Sequence, residues 1–217
     1  MKYTILGCLF TIFTCSLCQV KLMYHIFDDL LQGERASCVQ KRIQTSSFFH
    51  LALQVTNTNG KFFDYSPRNL EYLKSLNATR LDLIFYPDAS FGPRQTEVSV
   101  MADSILALSK IAPMDTTWVL IDARGNNWKK TFGIHTNFLK ELIDALKARN
   151  IKFGFAVYNN REWNSIFGTD FKIYSDYPLV YQQKTFYGFG GWTKPNFLLY
   201  TDFDSLCQMK TKSYSPK

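Results

Sequence analysis

Residues 118–121 form a short apolar run that stops abruptly at a group of polar residues. An acid, Asp122, and a base, Arg124, follow the run directly. A short apolar run bounded by turn residues is typical of a buried parallel strand, and α/β barrels carry their chemistry at the carboxyl ends of such strands. Asp122 is therefore the first candidate for a functional carboxylate. The competing interpretation is structural: Asp122 caps the following loop or pairs with Arg124.

Similar apolar strands alternate with amphipathic helices along the chain. Predicted strands cover residues 22–27, 50–56, 81–86, 118–121, 151–158, 179–181 and 197–200. Predicted helices cover residues 36–45, 66–76, 95–111, 135–150 and 161–167. Strands that alternate with helices through short connections predict an α/β fold with a parallel sheet, and at this chain length a (β/α) barrel of the TIM type whose later helices are reduced. An open doubly wound sheet is the main alternative, although the first strand lacks the glycine-rich turn of a dinucleotide site.

The first 18 residues predict a secretory signal peptide. Lys2 precedes an apolar core at residues 5–15, and small residues follow before Gln19. The core is short for a membrane span, and no later stretch is long and apolar enough to cross a bilayer. Because 46% of the chain is hydrophobic and no linker or repeat divides it, residues 19–217 are predicted to form one domain. We expect this domain to be secreted, or held in a vesicular or lysosomal lumen.

Loss of the signal peptide would leave two cysteines, Cys38 and Cys207. In a secreted chain their positions near the two ends predict a disulfide that ties the termini together, although two free thiols fit the sequence equally well. The tripeptide that starts at Asn77 predicts a glycosylation acceptor. The histidines are scattered and match no metal-ligand spacing, so we predict neither a metal nor a cofactor.

The formal net charge of the chain is +7. A basic secreted protein is predisposed to anionic surfaces such as bacterial walls, glycans or nucleic acid. We find no basic run that resembles a nucleic-acid-binding motif, so a nucleic-acid partner is not predicted. Charge alone does not choose between bacterial walls and other anionic glycans.

Several segments share the pattern of one known enzyme family. They are Phe189-Gly190-Gly191-Trp192-Thr193-Lys194-Pro195, Leu199-Tyr200, Asp204-Ser205-Leu206-Cys207, Ile84-Phe85-Tyr86-Pro87, the run at residues 118–122, and Asn137-Phe138-Leu139. Together they resemble the invertebrate-type lysozymes of glycoside hydrolase family 25, and most of all the lysozyme-like proteins of nematodes and amoebae. The resemblance covers most of the predicted mature chain and is strongest at residues 81–207.

This resemblance implies a flattened, irregular (β/α) barrel that cleaves the β-1,4 bond between N-acetylmuramic acid and N-acetylglucosamine in peptidoglycan. Such cleavage needs a carboxylic acid that protonates the leaving oxygen. In the family the fourth strand ends in Asp-x-Glu, whose glutamate is the proton donor, and here the motif is Asp122-Ala123-Arg124. Arginine stays protonated, so Arg124 removes this acid and favours the ionised form of Asp122.

Other acids of the family pattern are also absent or displaced. Asp28 lies near the first-strand position but outside the expected Asp-x-Ser-like setting, and Lys210 and Lys212 stand near the C-terminus, where relatives carry an acid. The leading hypothesis is a secreted pseudoenzyme of innate immune defence that keeps glycan binding and has lost or weakened its hydrolysis. The alternative is an active muramidase whose acid is Asp88, with Asp28 or Asp202 as further candidates.

Five aromatic residues fall at or near predicted strand ends, where their faces could stack on the sugar rings of peptidoglycan or a related glycan. They are Tyr86, Tyr158, Tyr181, Trp192 and Tyr200. Core packing is the competing interpretation of each one. In the same site Arg124 could meet a lactyl or peptide carboxylate.

A third hypothesis belongs to a different class. The protein could be a secreted structural or signalling protein whose fold serves only as a scaffold, since fold does not fix function. This hypothesis predicts no affinity for peptidoglycan and a cleft that side chains fill. Under each of the three hypotheses we expect a monomer.

Overall fold

The computed structural model describes residues 22–45, 50–76, 78, 80–89, 95–123, 128, 134–207 and 209–217. The predictions on the signal segment, on Asn77 and on Arg124 fall outside these residues. The side chains of Tyr200 and Asp202 are also outside the description, although their backbone belongs to a strand.

The described residues form a closed barrel of eight strands in sequence order. The strands are β1 Met23–Ile26, β2 His50–Gln54, β3 Arg80–Phe85, β4 Thr117–Ile121, β5 Phe153–Val157, β6 Leu179–Tyr181, β7 Phe197–Leu206 and β8 Met209–Pro216. The helices are α1 Arg35–Thr45, α2 Ser66–Ser75, α3 Gln95–Ile111, α4 Ile134–Ala148 and α5 Asn160–Phe167. None of the helices in these residues is both long and apolar enough to span a membrane.

Consecutive strands from β1 to β7 pair in parallel, which confirms the predicted (β/α) barrel. The doubly wound alternative is wrong because the sheet closes on itself. Closure comes from β8, which pairs antiparallel with β7 on one side and with β1 on the other. The sequence analysis did not predict β8 and ended β7 near Tyr200. The reason is physical, since the sequence of β8 is mostly polar and lacks the apolar run of a strand that is buried on both faces.

The helices bury apolar faces against the barrel. The clearest face belongs to α4, and its buried members are Phe138, Leu139, Leu142, Ile143 and Leu146. These positions recur at helical spacing, so one stripe of α4 covers the sheet and the opposite stripe faces solvent. The helical layer ends after α5. The connection from β6 to β7, residues 182–196, contains no helix and folds back as a loop instead.

Aromatic rings fill the space beside β5 that a further helix would cover. Trp163 of α5 lies at the centre of this group, with its ring centroid 4.9 Å from that of Trp192 and 4.6 Å from that of Phe167. Phe155 of β5 contacts the same Trp192 at 5.6 Å. Edge-to-face and tilted rings at these distances pack efficiently and stabilise the contact beyond the area that they bury.

A buried carboxylate joins three strands near their amino-terminal ends. Asp82 of β3 is 0% exposed, and its Oδ2 lies 2.8 Å from Nε2 of His50 on β2. The same oxygen accepts a hydrogen bond of 2.7 Å from the indole N–H of Trp118 on β4. The Trp118 ring lies against Gly154 on β5, where a Cβ atom would approach it to 2.5 Å. This network fixes the lateral order of β2 to β5 at the closed end of the barrel.

A disulfide joins Cys38 of α1 to Cys207, which lies in the turn between β7 and β8. The two cysteines are 169 positions apart in sequence. In the chain-entropy model, closing a loop of this length reduces the conformational entropy of the unfolded chain. The loss stabilises the folded state by about 5 kcal/mol. The bond therefore holds the last hairpin to the first helix.

Replacement of Asp82 by alanine should lower the free energy of unfolding by about 3 kcal/mol. The His50 ring and the Trp118 indole would remain buried without their shared acceptor, and such orphaned groups are costly. Urea denaturation followed by tryptophan fluorescence measures the change. The matched control is Asp103→Ala, which removes an exposed carboxylate that is hydrogen-bonded to Arg149 at 2.7 Å and should cost much less. Equal losses in the two variants would contradict the role given to Asp82.

Candidate functional site

A pocket of about 340 Å³ opens where the parallel strands end. We call it the mouth pocket. Its described lining residues are His25, Phe27, Gln54, Asn57, Thr58, Phe63, Tyr86, Leu120, Asp122, Gln182 and Lys212. They come from β1, β2, β4 and β8 and from segments that follow β1, β2, β3, β4 and β6, so the closure of the barrel assembles the site from the whole length of the chain. A cleft of this size at the carboxyl ends of the strands is where barrel enzymes place their substrates.

Asp122 and Tyr86 meet at one wall of the mouth pocket. The Tyr86 hydroxyl donates a hydrogen bond to the backbone carbonyl of Asp122. The Tyr86 ring is only 1% exposed, and its backbone N–H donates to the Thr56 hydroxyl at 2.6 Å. Tyr86 therefore orients the end of β4, and its edge lines the pocket. The structure thus brings together two of the residues predicted from the sequence.

The polar side chains of the mouth pocket form two hydrogen-bonded pairs, His25 with Gln54 and Lys212 with Gln182. The side-chain nitrogen of Gln54 donates to the carbonyl of Thr56 at 2.6 Å, so its oxygen is the atom that faces His25. Nε2 of His25 lies 2.9 Å from this oxygen and carries the hydrogen in the matching tautomer. On the next wall Nζ of Lys212 donates to Oε1 of Gln182 at 3.1 Å.

The charge of His25 is set by its surroundings. Burial, together with the nearby charge of Lys212, lowers the pKa of His25 from 6.5 to about 3, although the hydrogen bond to Gln54 acts in the opposite direction. The imidazole is therefore neutral at physiological pH, and it has no proton of suitable acidity for a leaving group. Asp122 is the one carboxylate among the described residues that line the mouth pocket.

A second carboxylate reaches the end of β4 from outside the mouth pocket. Oε2 of Glu162 on α5 accepts a hydrogen bond of 2.9 Å from the backbone N–H of Ala123. The backbone N–H of Glu162 itself donates to the side chain of Asn159, which caps α5, at 2.8 Å. Sequence reasoning missed this residue. The Asn159-to-Glu162 spacing is a helix-start signal, but it gives no indication that the carboxylate turns toward the neighbouring strand.

The other predicted acids do not line the mouth pocket. Asp28 follows β1 and lies 4.0 Å from the guanidinium of Arg35. Its neighbour Asp29 is buried and pairs with Arg68. Asp88 packs against a tight turn, since a Cβ atom on Gly60 would lie 2.5 Å from the Cβ of Asp88. Neither Asp28 nor Asp88 is among the described residues that line the mouth pocket with Asp122.

The five predicted sugar-stacking aromatics do not lie together: Tyr86 lines the mouth pocket, and the side chain of Tyr200 is outside the described residues. Tyr158 and Tyr181 line a second groove on the same rim. Trp192 is 4% exposed, and its indole N–H donates to the carbonyl of Tyr177 at 2.8 Å. Its ring is packed among the aromatic residues beside β5, which fits the core-packing interpretation of this residue. The Gly190-Gly191 turn, with both glycines at positive φ, carries the chain back under the barrel wall.

Within the described residues we find no group of three histidine, cysteine, aspartate or glutamate side chains arranged to hold a metal ion. The polar groups of the mouth pocket are amides, one carboxylate, a neutral imidazole and an ammonium group. Such a set binds hydroxyl, amide and carboxylate groups of an organic ligand.

The comparison with known families decides which one this chain represents. The sequence model of the family described as lysozyme-like protein 1 matches residues 25–214. The chain belongs to this lysozyme-like family. The resemblance to glycoside hydrolase family 25 is thereby confirmed, and a curated relative supports it: the probable GH family 25 lysozyme 5 of Dictyostelium discoideum is 23% identical over 138 residues. That match covers 61% of this chain and spans 63% of the length of the relative.

Solved structures share the fold of this lysozyme-like chain. The muramidase from Acremonium alcalophilum superposes with a TM-score of 0.65 at 9% identity, over 90% of this chain and 93% of the other. The muramidase from Trichobolus zukalii gives a TM-score of 0.63 at 11% identity, over 90% and 93% of the two chains. At such low identity these likenesses establish the barrel architecture and leave the chemistry to be argued from the residues themselves.

Replacement of His25 by glutamine should remove part of the acid sensitivity of the fold. Because the pKa of His25 is lowered in the folded state, the unfolded chain binds a proton below about pH 6.5 that the native chain does not bind, and stability falls as pH falls. Between about pH 6.5 and 4.5 the wild type should lose roughly 2–3 kcal/mol more than His25→Gln. Urea denaturation at a series of pH values measures the difference. Parallel curves for the two proteins would contradict the buried neutral histidine.

Proposed function

We propose that this protein is a secreted, lysozyme-like glycan-binding protein that holds bacterial peptidoglycan at the mouth pocket and hydrolyses it weakly or not at all. Membership of the lysozyme-like family supports the ligand class. The sequence of residues 1–18 supports secretion, since it has the basic start and apolar core of a signal peptide. Innate defence against bacteria is the biological role that fits these two properties.

One observation carries the proposal on catalysis: the mouth pocket has a single carboxylate, Asp122, among its described lining residues. Standard glycoside hydrolysis needs two carboxyl groups about 5–10 Å apart, one of which donates a proton. Arg124 occupies the position of the family's proton donor in the sequence. His25 is neutral, so it does not replace the missing acid. Loss of the general acid alone lowers the rate by roughly two to four orders of magnitude.

Binding makes smaller demands than hydrolysis, and the mouth pocket keeps the groups that it needs. The amides of Gln54, Asn57 and Gln182 can exchange hydrogen bonds with sugar hydroxyl and acetamido groups. Lys212 offers a positive charge to a lactyl or peptide carboxylate. Phe27 and Phe63 add apolar surface beside these polar groups, which is the usual composition of a carbohydrate or cofactor pocket. The open volume also argues against a scaffold whose cleft is filled by side chains.

A second candidate function is full muramidase activity with a relocated acid, and the position of Glu162 favours it. The Glu162 carboxylate is hydrogen-bonded to Ala123, the residue between Asp122 and Arg124. It therefore brings a carboxylate to the strand end where the family places its acid. Asp88, the acid proposed from the sequence, packs on the Gly60 turn and is the weaker alternative.

The test combines binding and clearing by the mature protein, residues 19–217. Wild type should sediment with insoluble peptidoglycan and clear a peptidoglycan suspension at least about 100-fold more slowly than an active muramidase. Arg124→Glu should raise the clearing rate by roughly 10-fold or more, because it restores a carboxyl group at the end of β4. Arg42→Glu is the charge-matched control, since Arg42 is exposed on α1, and it should change nothing.

The possible results separate the two candidate functions. Rapid clearing by the wild type that Glu162→Gln abolishes would establish a relocated acid and overturn the loss of catalysis. The same loss in Asp88→Asn would assign the acid to Asp88 instead. Failure of the wild type to sediment with peptidoglycan, in a sample whose unfolding transition is cooperative, would refute glycan binding itself.

A further inference from the structure

A second and larger cavity lies on the same rim of the barrel, between the ends of β5 and β6. Its volume is about 760 Å³. Its described lining residues are Tyr158, Asn159, Asn160, Arg161, Tyr181, Gln183, Lys184, Thr185, Tyr187 and Leu199. We call it the β5–β6 groove. Its size is within the range of small-molecule sites and is large enough for a short oligosaccharide or a glycopeptide fragment.

The charge of the β5–β6 groove has one sign. Arg161 and Lys184 are exposed cations on opposite segments, one at the start of α5 and the other in the loop after β6. The described lining contains no acidic residue, and within the described part of the chain neither cation makes an ion pair. Two cations in one concave surface raise the local concentration of an anionic ligand. Arginine in particular binds carboxylates through two parallel hydrogen bonds.

The remaining lining residues suit a sugar. Tyr187 is 62% exposed, an unusual exposure for a large aromatic side chain, and Tyr158 lies on the opposite wall. An exposed tyrosine ring gives an apolar face for stacking and a hydroxyl group for hydrogen bonding. Asn160 and Gln183 add amide groups that can donate to and accept from sugar hydroxyls.

The walls of the groove are held in place by buried contacts. The Tyr181 hydroxyl accepts a hydrogen bond of 3.3 Å from the backbone N–H of Asn160, which connects the end of β6 to the start of α5. The ring of Phe186 packs edge-to-face on Tyr181 with centroids 4.9 Å apart, and this contact anchors the loop that carries Lys184 and Tyr187. A site formed in advance loses little entropy when its ligand binds.

The groove and the mouth pocket have lining residues that are neighbours in sequence. Gln182 lines the mouth pocket, and the next residue, Gln183, lines the groove. On the other wall Arg161 precedes Glu162, whose carboxylate is bonded to the end of β4. The two sites therefore lie on one rim of the barrel, next to each other along the chain.

We propose that the β5–β6 groove binds a carboxylate-bearing segment of the glycan, with the carboxylate between Arg161 and Lys184 and the sugar or peptide face on Tyr187. This inference rests on the proposed function and extends it from one pocket to a second subsite of defined chemistry. The carboxylate can come from the lactyl group of muramic acid or from the stem peptide. Two cations and several neutral amides fit one isolated carboxylate better than the repeated phosphates of a nucleic acid.

The experiment compares two double variants with the same change in charge. Arg161→Gln with Lys184→Gln removes the cations of the groove, and Lys41→Gln with Arg42→Gln removes two exposed cations of α1. Isothermal titration calorimetry measures the affinity for three soluble probes. They are a muramic acid disaccharide with a free lactyl carboxylate, a disaccharide-peptide with free stem carboxylates, and neutral chitotetraose.

The groove variant should bind at least one carboxylate probe about 10-fold more weakly than wild type, and more so at low salt, because it loses two charge-assisted contacts. Its affinity for chitotetraose should be unchanged, and the α1 variant should match wild type for all probes. The probe that loses affinity identifies the source of the carboxylate. Equal thermal unfolding midpoints confirm that exposed substitutions leave the fold intact.

Other outcomes overturn the groove without touching the mouth pocket. Wild-type affinity of the groove variant for both carboxylate probes would refute the inference, as would wild type that sediments with peptidoglycan and binds none of the soluble probes. A hexathymidylate bound as tightly as the carboxylate probes would replace it with general polyanion attraction. If wild type fails even to sediment with peptidoglycan, the proposed function itself has failed.

Discussion

The parallel pairing of consecutive strands from β1 through β7 decides where this protein can do chemistry. Because the strands run in the same direction, their carboxyl ends share one rim, and each following segment must start there. Residues that are far apart in sequence, such as Phe27, Tyr86 and Gln182, therefore line the same cavity. The opposite end is closed by the network around Asp82, which ties β2, β3 and β4 together in a dry environment. One end of the barrel is thus committed to stability, and the other is left for ligands.

Charged and ionisable groups at the rim act on one another across neighbouring strands. Lys212 stands opposite His25 in the pairing of β8 with β1, and its charge acts with burial to keep the imidazole neutral. An acid at either position would change the protonation of its neighbour, so these residues behave as one coupled set. Most of the other described polar groups in the mouth pocket are neutral groups that form hydrogen bonds. A surface of this kind recognises a ligand by its shape and polarity.

The sequence predicted the strands best where both faces of a strand are buried. Strands such as Phe153–Val157 are covered on both faces and can be recognised as apolar runs, and Asp122 and Tyr86 could be located because they follow such runs. The strand β8 was missed because Lys212 and Ser213 carry no apolar signal, and only pairing with β1 and β7 defines it. Nothing in the sequence marks Gln54 and Gln182 as site residues, because only the closed barrel brings them into the mouth pocket. Trp192 follows a turn at Gly190 and Gly191, and its ring is buried in the barrel wall. The sequence offered both sugar stacking and core packing for this residue and did not show which one the turn produces.

The pairing of the first strand with the last one restricts the order in which this chain can fold. The strand β1 is synthesised long before β8. Its antiparallel pairing with β8 can therefore form only when β8 has been made. Until then β1 and β7 are both open edges that could pair with other chains, and contacts of such long range form slowly. The disulfide between Cys38 and Cys207 can likewise form only after Cys207 has been synthesised. The barrel therefore closes only after β8 has been synthesised, and until then the open edges of the nascent chain need protection.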